Sequence, residues 1–220
     1  PNPKPRSFWG SIGYSVAHNP AQPSPNSLHG SHGGEDIAFK KSYNITAIKP
    51  QFWQIVEEGS TGPVRFSAVV IRLRGISVLF AITYWYVGLG LHERNREILQ
   101  QVTCMAKLLG LPVLMFGDFN VTSVLLDSSG WLIPFGLHTF VPAGTGGSCR
   151  KSDRIIDYFV VSDGLDDIVH SCSPIFSVPF GPHHGYLLRL RNICAVTGLQ
   201  LITPRALPVE LANHHLQTFS

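Results

Sequence analysis

This chain is poor in charge. Asp, Glu, Lys and Arg together make up 14% of its 220 residues, against 44% hydrophobic. That balance excludes a solvated, disordered chain, which needs few apolar residues and dense charge. Cysteine is also sparse: Cys104, Cys149, Cys172 and Cys194 are scattered without a CxxC. Zinc ribbons and disulfide-dense scaffolds are thereby excluded, and reduced intracellular thiols are expected, with nothing to separate nucleus from cytoplasm. No apolar run reaches the roughly 18 residues of a bilayer span, because Arg72 and Arg74 interrupt the longest one, so no membrane partner is expected. The opening Pro1–Arg6 has neither a methionine nor a signal-peptide pattern and reads as a fragment start or linker. A net charge of +3 permits a polyanionic partner without requiring one.

What is present fits a single domain with a sizeable core. Residues 1–34 are rich in Pro, Gly, Ser, Asn and His and read as loop, apart from a short strand near Gly13–Ala17. Asp36–Lys41 alternates as a half-buried strand does, and Val64–Leu73 and Ile76–Tyr84, joined by Arg74-Gly75, read as a hairpin. Glu93–Leu109 places Ile98, Leu99, Val102, Met105, Ala106 and Leu109 on one helical face, with Gly110 and Pro112 as the stop. The continuous apolar run Leu111–Phe116 then makes a strand–helix–strand crossover into a buried layer. Asn120–Cys149 reads as turn-rich and irregular, Arg154–Ser162, Val169–Val178 and Tyr186–Leu190 as strands, and the chain beyond Arg191 as a tail.

Four signals carry chemistry. Gly117-Asp118-Phe119-Asn120 follows a buried strand. In an extended segment Asp118 and Asn120 project to one side, where a carboxylate and an amide can position a metal-bound water and bond a phosphate oxygen. The same pair is also an ordinary turn former. Asp157 lies inside the apolar run Ile155–Val161, where an unpaired charge is costly and demands a metal, a histidine, backbone donors or an arginine. Pro182-His183-His184-Gly185 precedes the last strand, so a histidine there can act as general acid or base, although Gly/Pro-loop histidines are commonly idle. Tyr84 ends its strand, placed either to donate to a phosphate oxygen or simply to fill the core. His29 and His32 lie in a Gly/Ser loop without a cysteine partner, a poor zinc site. Arg72, Arg74, Arg94, Arg96, Arg150, Lys151 and Arg154 are dispersed and read as solvated surface.

In this order, with Gly33–Lys41 similar to a glycine-pair strand ending in basic residues, these motifs resemble the exonuclease–endonuclease–phosphatase superfamily of DNase-I-like fold. The resemblance implies an α/β (α+β) architecture: a four-layer sandwich of two mixed β-sheets flanked by helices, here missing its first strands. The domain would span 13–191, between a start segment (1–12) and a tail (192–220). It also implies Tyr84, Asp118, Asn120, Asp157 and His183 as catalytic residues, with His184 as the alternative by a one-residue shift. Asp118 and Asp157 would be the ligands of Mg²⁺ or Mn²⁺, and DNA or RNA the partner, with no protein partner evident. Domains of this kind open the proteins of non-long-terminal-repeat retroelements, which this chain also resembles.

Two departures stand against the family pattern. No strand bearing the family's metal-binding Glu precedes Gly13, since Glu57 and Glu58 follow the glycine pair as a solvated loop or helix end. Pro182 also stands where the family has an Asp, and proline offers neither a carboxylate nor an N–H. The expectations are therefore a metal-dependent endonuclease or phosphodiesterase and, against it, a non-catalytic remnant with weak nucleic-acid affinity. A phosphatase of small molecules such as phosphoinositides ranks third.

Overall fold

A computed structural model describes residues 9–20, 22–23, 31–32, 34–141, 143–144, 146–149, 152–176 and 182–191. The chain opens with β1 (Tyr14–Asn19), the two-residue strands β2 (Gln22–Pro23) and β3 (Ser31–His32), β4 (Glu35–Lys40), β5 (Ile45–Ala47) and α1 (Pro50–Glu58). Next come β6 (Phe66–Leu73), β7 (Ile76–Tyr84), α2 (Glu93–Leu109), β8 (Val113–Asp118) and α3 (Ser123–Ser128). A short 3₁₀ turn (Ile133–Phe135), β9 (Leu137–Phe140), β10 (Asp157–Ser162), β11 (Val169–Ile175) and β12 (Gly185–Leu190) complete it.

The centre is a six-stranded mixed sheet in the order β5-β6-β7-β8-β10-β9, parallel at β7–β8 and antiparallel elsewhere. The parallel pair follows from the crossover through α2, since parallel neighbours need a long connection. Residues of alternate parity face opposite ways. Phe66, Ala68, Leu79, Ala81, Val113, Met115, Tyr158 and Val160 join Ile98, Leu99, Val102 and Met105 of α2 in one core. On the other face Val78, Leu114, Phe159 and Val161 pack with Cys172 of β11 and with Tyr186, Leu188 and Leu190 of β12.

The second layer is two separate hairpins. The β1–β4 pair packs on β6 and β7, and the β11–β12 pair covers β8 and β10. This α/β arrangement is the expected class, with the second sheet present as two pieces rather than one.

Helix α2 has the anticipated bounds: Gly110 takes the left-handed conformation (φ 64°) at its end, and its N–H bonds back to Lys107. The stretch Asn120–Cys149 is more regular than its sequence implies, since α3, the 3₁₀ turn and β9 all lie within it. Each is six residues or shorter, below the length at which periodicity can be read. Helix α1 has no counterpart in the sequence reading for a similar reason, with Val56 its only buried residue; Glu57 and Glu58 do form its end. Strand β10 begins at Asp157 rather than Arg154, because Ser148 takes the N–H groups of Ile156 and Asp157 before the ladder starts. The expected start segment up to Phe8 and the tail from Asn192 lie outside the described residues, as do His29 and the last two residues of Val169–Val178. Among the described residues no helix is long and apolar enough to cross a membrane.

One glycine fixes the centre. A Cβ on Gly117 would lie 2.4 Å from the Thr83 carbonyl oxygen and 2.7 Å from Thr83 Cγ2, so the β7–β8 approach requires a residue without a side chain. Gly117→Ala is expected to cost about 1–3 kcal/mol in urea denaturation. Gly146→Ala, where a Cβ meets nothing within 4 Å, should change stability by less than about 0.5 kcal/mol. Equal stability of the two variants would contradict the packing account.

Candidate active site

Three of the residues singled out in the sequence stand side by side. Tyr84 pairs with Asp118 across the parallel β7–β8 ladder, and Asp118 pairs with Asp157 across the antiparallel β8–β10 ladder. Residues directly opposite one another share a face, so the phenol and the two carboxylates form a row along one end of the sheet. The next residue on each segment points the other way. Trp85, Phe119 and Tyr158 are fully buried on the helix side, with Phe119 stacked on Tyr158 at 4.5 Å and edge-on to Trp85 at 5.0 Å. Their burial fixes the direction of the polar row. The Trp85 N–H donates to the Asp118 carbonyl, and that of Phe119 to the Ile156 carbonyl, which ties the three strand ends together.

Asp157 is 6% exposed, and of the partners its sequence demanded it has the histidine. His183 Nδ1 lies 2.8 Å from Asp157 Oδ2, while Nε2 lies 3.8 Å from Asp118 Oδ2. An ionised carboxylate only accepts, so the Nδ1 facing it carries a proton. The His184 ring packs instead against Phe176 at 4.8 Å, with Nδ1 buried and without a partner. Of the two histidines, His183 is thus the one placed against the carboxylates.

Asn120 differs from its expected conformation. The strand ends at Asp118, and Asn120 takes a positive φ of 53°, the one non-glycine residue to do so among those described. Its side chain does not project beside Asp118 from an extended strand. Its N–H donates to Asp118 Oδ1 at 3.0 Å, its side-chain amide donates to the Trp85 carbonyl at 2.9 Å, and a further side-chain hydrogen bond links it to Tyr84. Asparagine tolerates the left-handed region because its short polar side chain bonds locally, and the turn brings its amide back over the row.

The electrostatics are those of crowded acids. Burial, and then the neighbouring Asp157, raise the Asp118 carboxyl from 3.8 to about 6, against the opposing Asn120 N–H and His183. Tyr84 is also raised, first by burial and then by Asp118, with Arg65 and the Asn120 bond opposing. One carboxylate of the pair thus lacks a compensating charge. Asp118, Asp157 and His183 each offer a ligand atom, all within 4.8 Å of one another, and no other such group of three occurs among the described residues. Two carboxylate oxygens beside an uncompensated charge fit a hard divalent cation that keeps much of its water.

Several contributors went unnoticed in the sequence. Ser148, fully buried, accepts through Oγ from the N–H groups of Ile156 and Asp157 at 2.9 and 3.0 Å, while its carbonyl accepts from the His184 N–H. It therefore ties the start of β10 to the histidine turn, and nothing in Gly146-Gly147-Ser148 distinguishes it from any loop serine. Arg65, 3% exposed, stands just ahead of β6 with its guanidinium 4.0 Å from the Tyr86 ring centroid and 5.8 Å from that of Tyr84. Glu35, 6% exposed at the head of β4, accepts from the Asn19 amide at 2.9 Å. Burial raises the Glu35 carboxyl above its usual range. Glu35 lies outside the acidic–histidine group, so it does not stand in for the metal-binding Glu.

No protein-family profile matches this sequence, and no curated protein matches it. Solved structures do. The endonuclease domain of TRAS1, a telomere-specific non-LTR retrotransposon, superposes with a TM-score of 0.61 at 17% identity, over 81% of this chain and 79% of that one. The 3′ phosphatase NExo from Neisseria, bound to a product DNA hairpin, gives 0.54 at 12% identity over 86% and 83%. The human Nocturnin catalytic domain gives 0.52 at 12% identity over 85% and 76%. At these identities the likeness establishes architecture. The fold of this chain is the DNase-I-like fold that it shares with these structures.

Proposed function

We propose that this chain hydrolyses phosphodiester bonds in nucleic acid with a divalent metal, as an endonuclease-like enzyme. The observation that carries this reading is the row Tyr84–Asp118–Asp157 with His183 Nδ1 on Asp157. Asp157 holds the imidazole with its proton on Nδ1, so Nε2 faces Asp118 as a lone pair. The neutral ring can take a proton from an attacking water, and the imidazolium so formed can donate to a phosphate oxygen. In the metal-free site the Asp118 carboxyl is raised to about 6, so near neutral pH it is ready to exchange its proton for a bound cation. Tyr84 and Asn120 donate to the non-bridging oxygens as charge develops on them. Asp118 and Asp157 would hold Mg²⁺ or Mn²⁺, which supplies charge neutralisation at the phosphate when bound. DNA or RNA is the proposed partner, supported by neighbours whose names state endonuclease and DNA-bound phosphatase roles.

A second reading, a non-catalytic remnant that keeps the fold and weak nucleic-acid affinity, is favoured by Pro182 before His183 and by Glu35 lying outside the cluster. With two carboxylates in place of a fuller set, Mg²⁺ would be held weakly.

Purified protein with Mg²⁺ is expected to nick supercoiled plasmid, and Asp118→Asn to lower the rate by at least about a hundredfold. Absence of cleavage by clean protein across Mg²⁺ and Mn²⁺ titrations would overturn the enzymatic reading in favour of the remnant. At sub-saturating Mg²⁺ the nicking rate should rise with pH through about 6, because Asp118 must lose its proton to hold the metal; the same low rate across that range would contradict its role as a ligand. Metal-free stability should move the opposite way. The folded protein holds the Asp118 proton more tightly than the unfolded chain, so stability falls as pH rises from about 4 to about 6. Asp118→Asn should therefore raise the melting temperature of the metal-free protein at pH 8 while lowering the nicking rate.

A further inference from the structure

Arg65 is the buried cation that the chemistry above leaves unused. It is 3% exposed, its Nη2 has no hydrogen-bond partner, and no carboxylate lies within ion-pair distance among the described residues. A buried guanidinium with an unpartnered nitrogen is costly and is retained only where something offsets it; Glu35 does so in part, from beyond ion-pair distance. The β6–β7 ladder pairs Phe66 with Thr83, so one further step sets Arg65 beside Tyr84 at the end of the row. Two contacts fix it there: the Thr83 hydroxyl donates to the Arg65 carbonyl at 3.0 Å, and the guanidinium lies on the faces of Tyr86 and Tyr84. Attraction between a cation and an aromatic face strengthens when both are out of water.

We propose that Arg65 is a positioning residue for Tyr84: its buried guanidinium holds the phenol in line with Asp118 and Asp157 and strengthens the hydroxyl as a donor to the substrate phosphate. At 3% exposed and with the guanidinium lying on the Tyr86 and Tyr84 faces, Arg65 acts through the ring rather than by touching the substrate. The charged groups that face Tyr84 are Asp118, Asp157 and Arg65, and Arg65 alone among them opposes the carboxylates. This role rests on the phosphodiesterase reading, and its test has one readout independent of catalysis.

The test is a double-mutant cycle on plasmid nicking in Mg²⁺, using wild type, Arg65→Met, Tyr84→Phe and the double variant, with Arg65→Lys as the charge-retaining control. Arg65→Met should lower kcat about tenfold with KM unchanged when Tyr84 is present, and less than about twofold in the Tyr84→Phe background. Arg65→Lys should recover part of the loss. An equal cost in both backgrounds, or a change confined to KM, would overturn the proposal. In parallel, the ¹³C ring resonances of Tyr84, assigned by their loss in Tyr84→Phe, should shift and broaden in Arg65→Met. Unchanged resonances would overturn the proposal whether or not the wild type cuts DNA. Should the wild type fail to cut while the resonances broaden, the phosphodiesterase reading fails and the positioning of Tyr84 by Arg65 stands.

Discussion

Everything at the candidate site depends on an alternation of side chains at three adjoining strand ends. At 84/85, 118/119 and 157/158 a polar residue faces the open side, and an aromatic one is buried beneath the sheet. The hydrophobic term that buries Trp85, Phe119 and Tyr158 therefore aims Tyr84, Asp118 and Asp157. A slip of one residue in any of these strands would turn its polar group into the core. Gly117 permits the spacing, because the β7 backbone occupies the position of its missing Cβ.

That alternation sets two acids side by side, which is unfavourable for the fold alone. Asp118 is raised to about 6 because burial and Asp157 both oppose its charge. His183 and Asn120 offset part of the cost, each from a different segment: the turn before β12 and the turn after β8. A destabilising cluster maintained by a well-packed sheet is the expected form of a site whose charge is completed by something bound. The six-stranded sheet supplies the row. The two hairpins on its upper face supply the histidine at one side and the Asn19–Glu35 pair toward the other.

Much of this was legible in the sequence because it is written in local pattern. The long periodic helix with its glycine stop, the apolar strand ending in Gly117-Asp118, and Asp157 within an apolar run each carry a signal in fewer than twenty residues. The choice between His183 and His184 could not be read, since it depends on the hydrogen bonds that Ser148 and Cys149 make with the turn. Asp-x-Asn is equally compatible with a strand and with the left-handed turn that Asn120 adopts, so its pattern does not specify the turn. Arg65 went unnoticed among dispersed basic residues, because its burial is created by Tyr84 and Tyr86, some twenty residues away. Short elements such as α1, α3 and β9 hold their shape through tertiary packing rather than propensity.

The central claim is that the Asp118–Asp157 pair is completed by a divalent metal. The most direct measurement is anomalous diffraction from crystals soaked in Mn²⁺. The account predicts a Mn²⁺ peak coordinated by the Asp118 and Asp157 carboxylates and lost in Asp118→Asn. A map from fully soaked crystals with no peak between these carboxylates, or with Mn²⁺ bound only elsewhere, would contradict it.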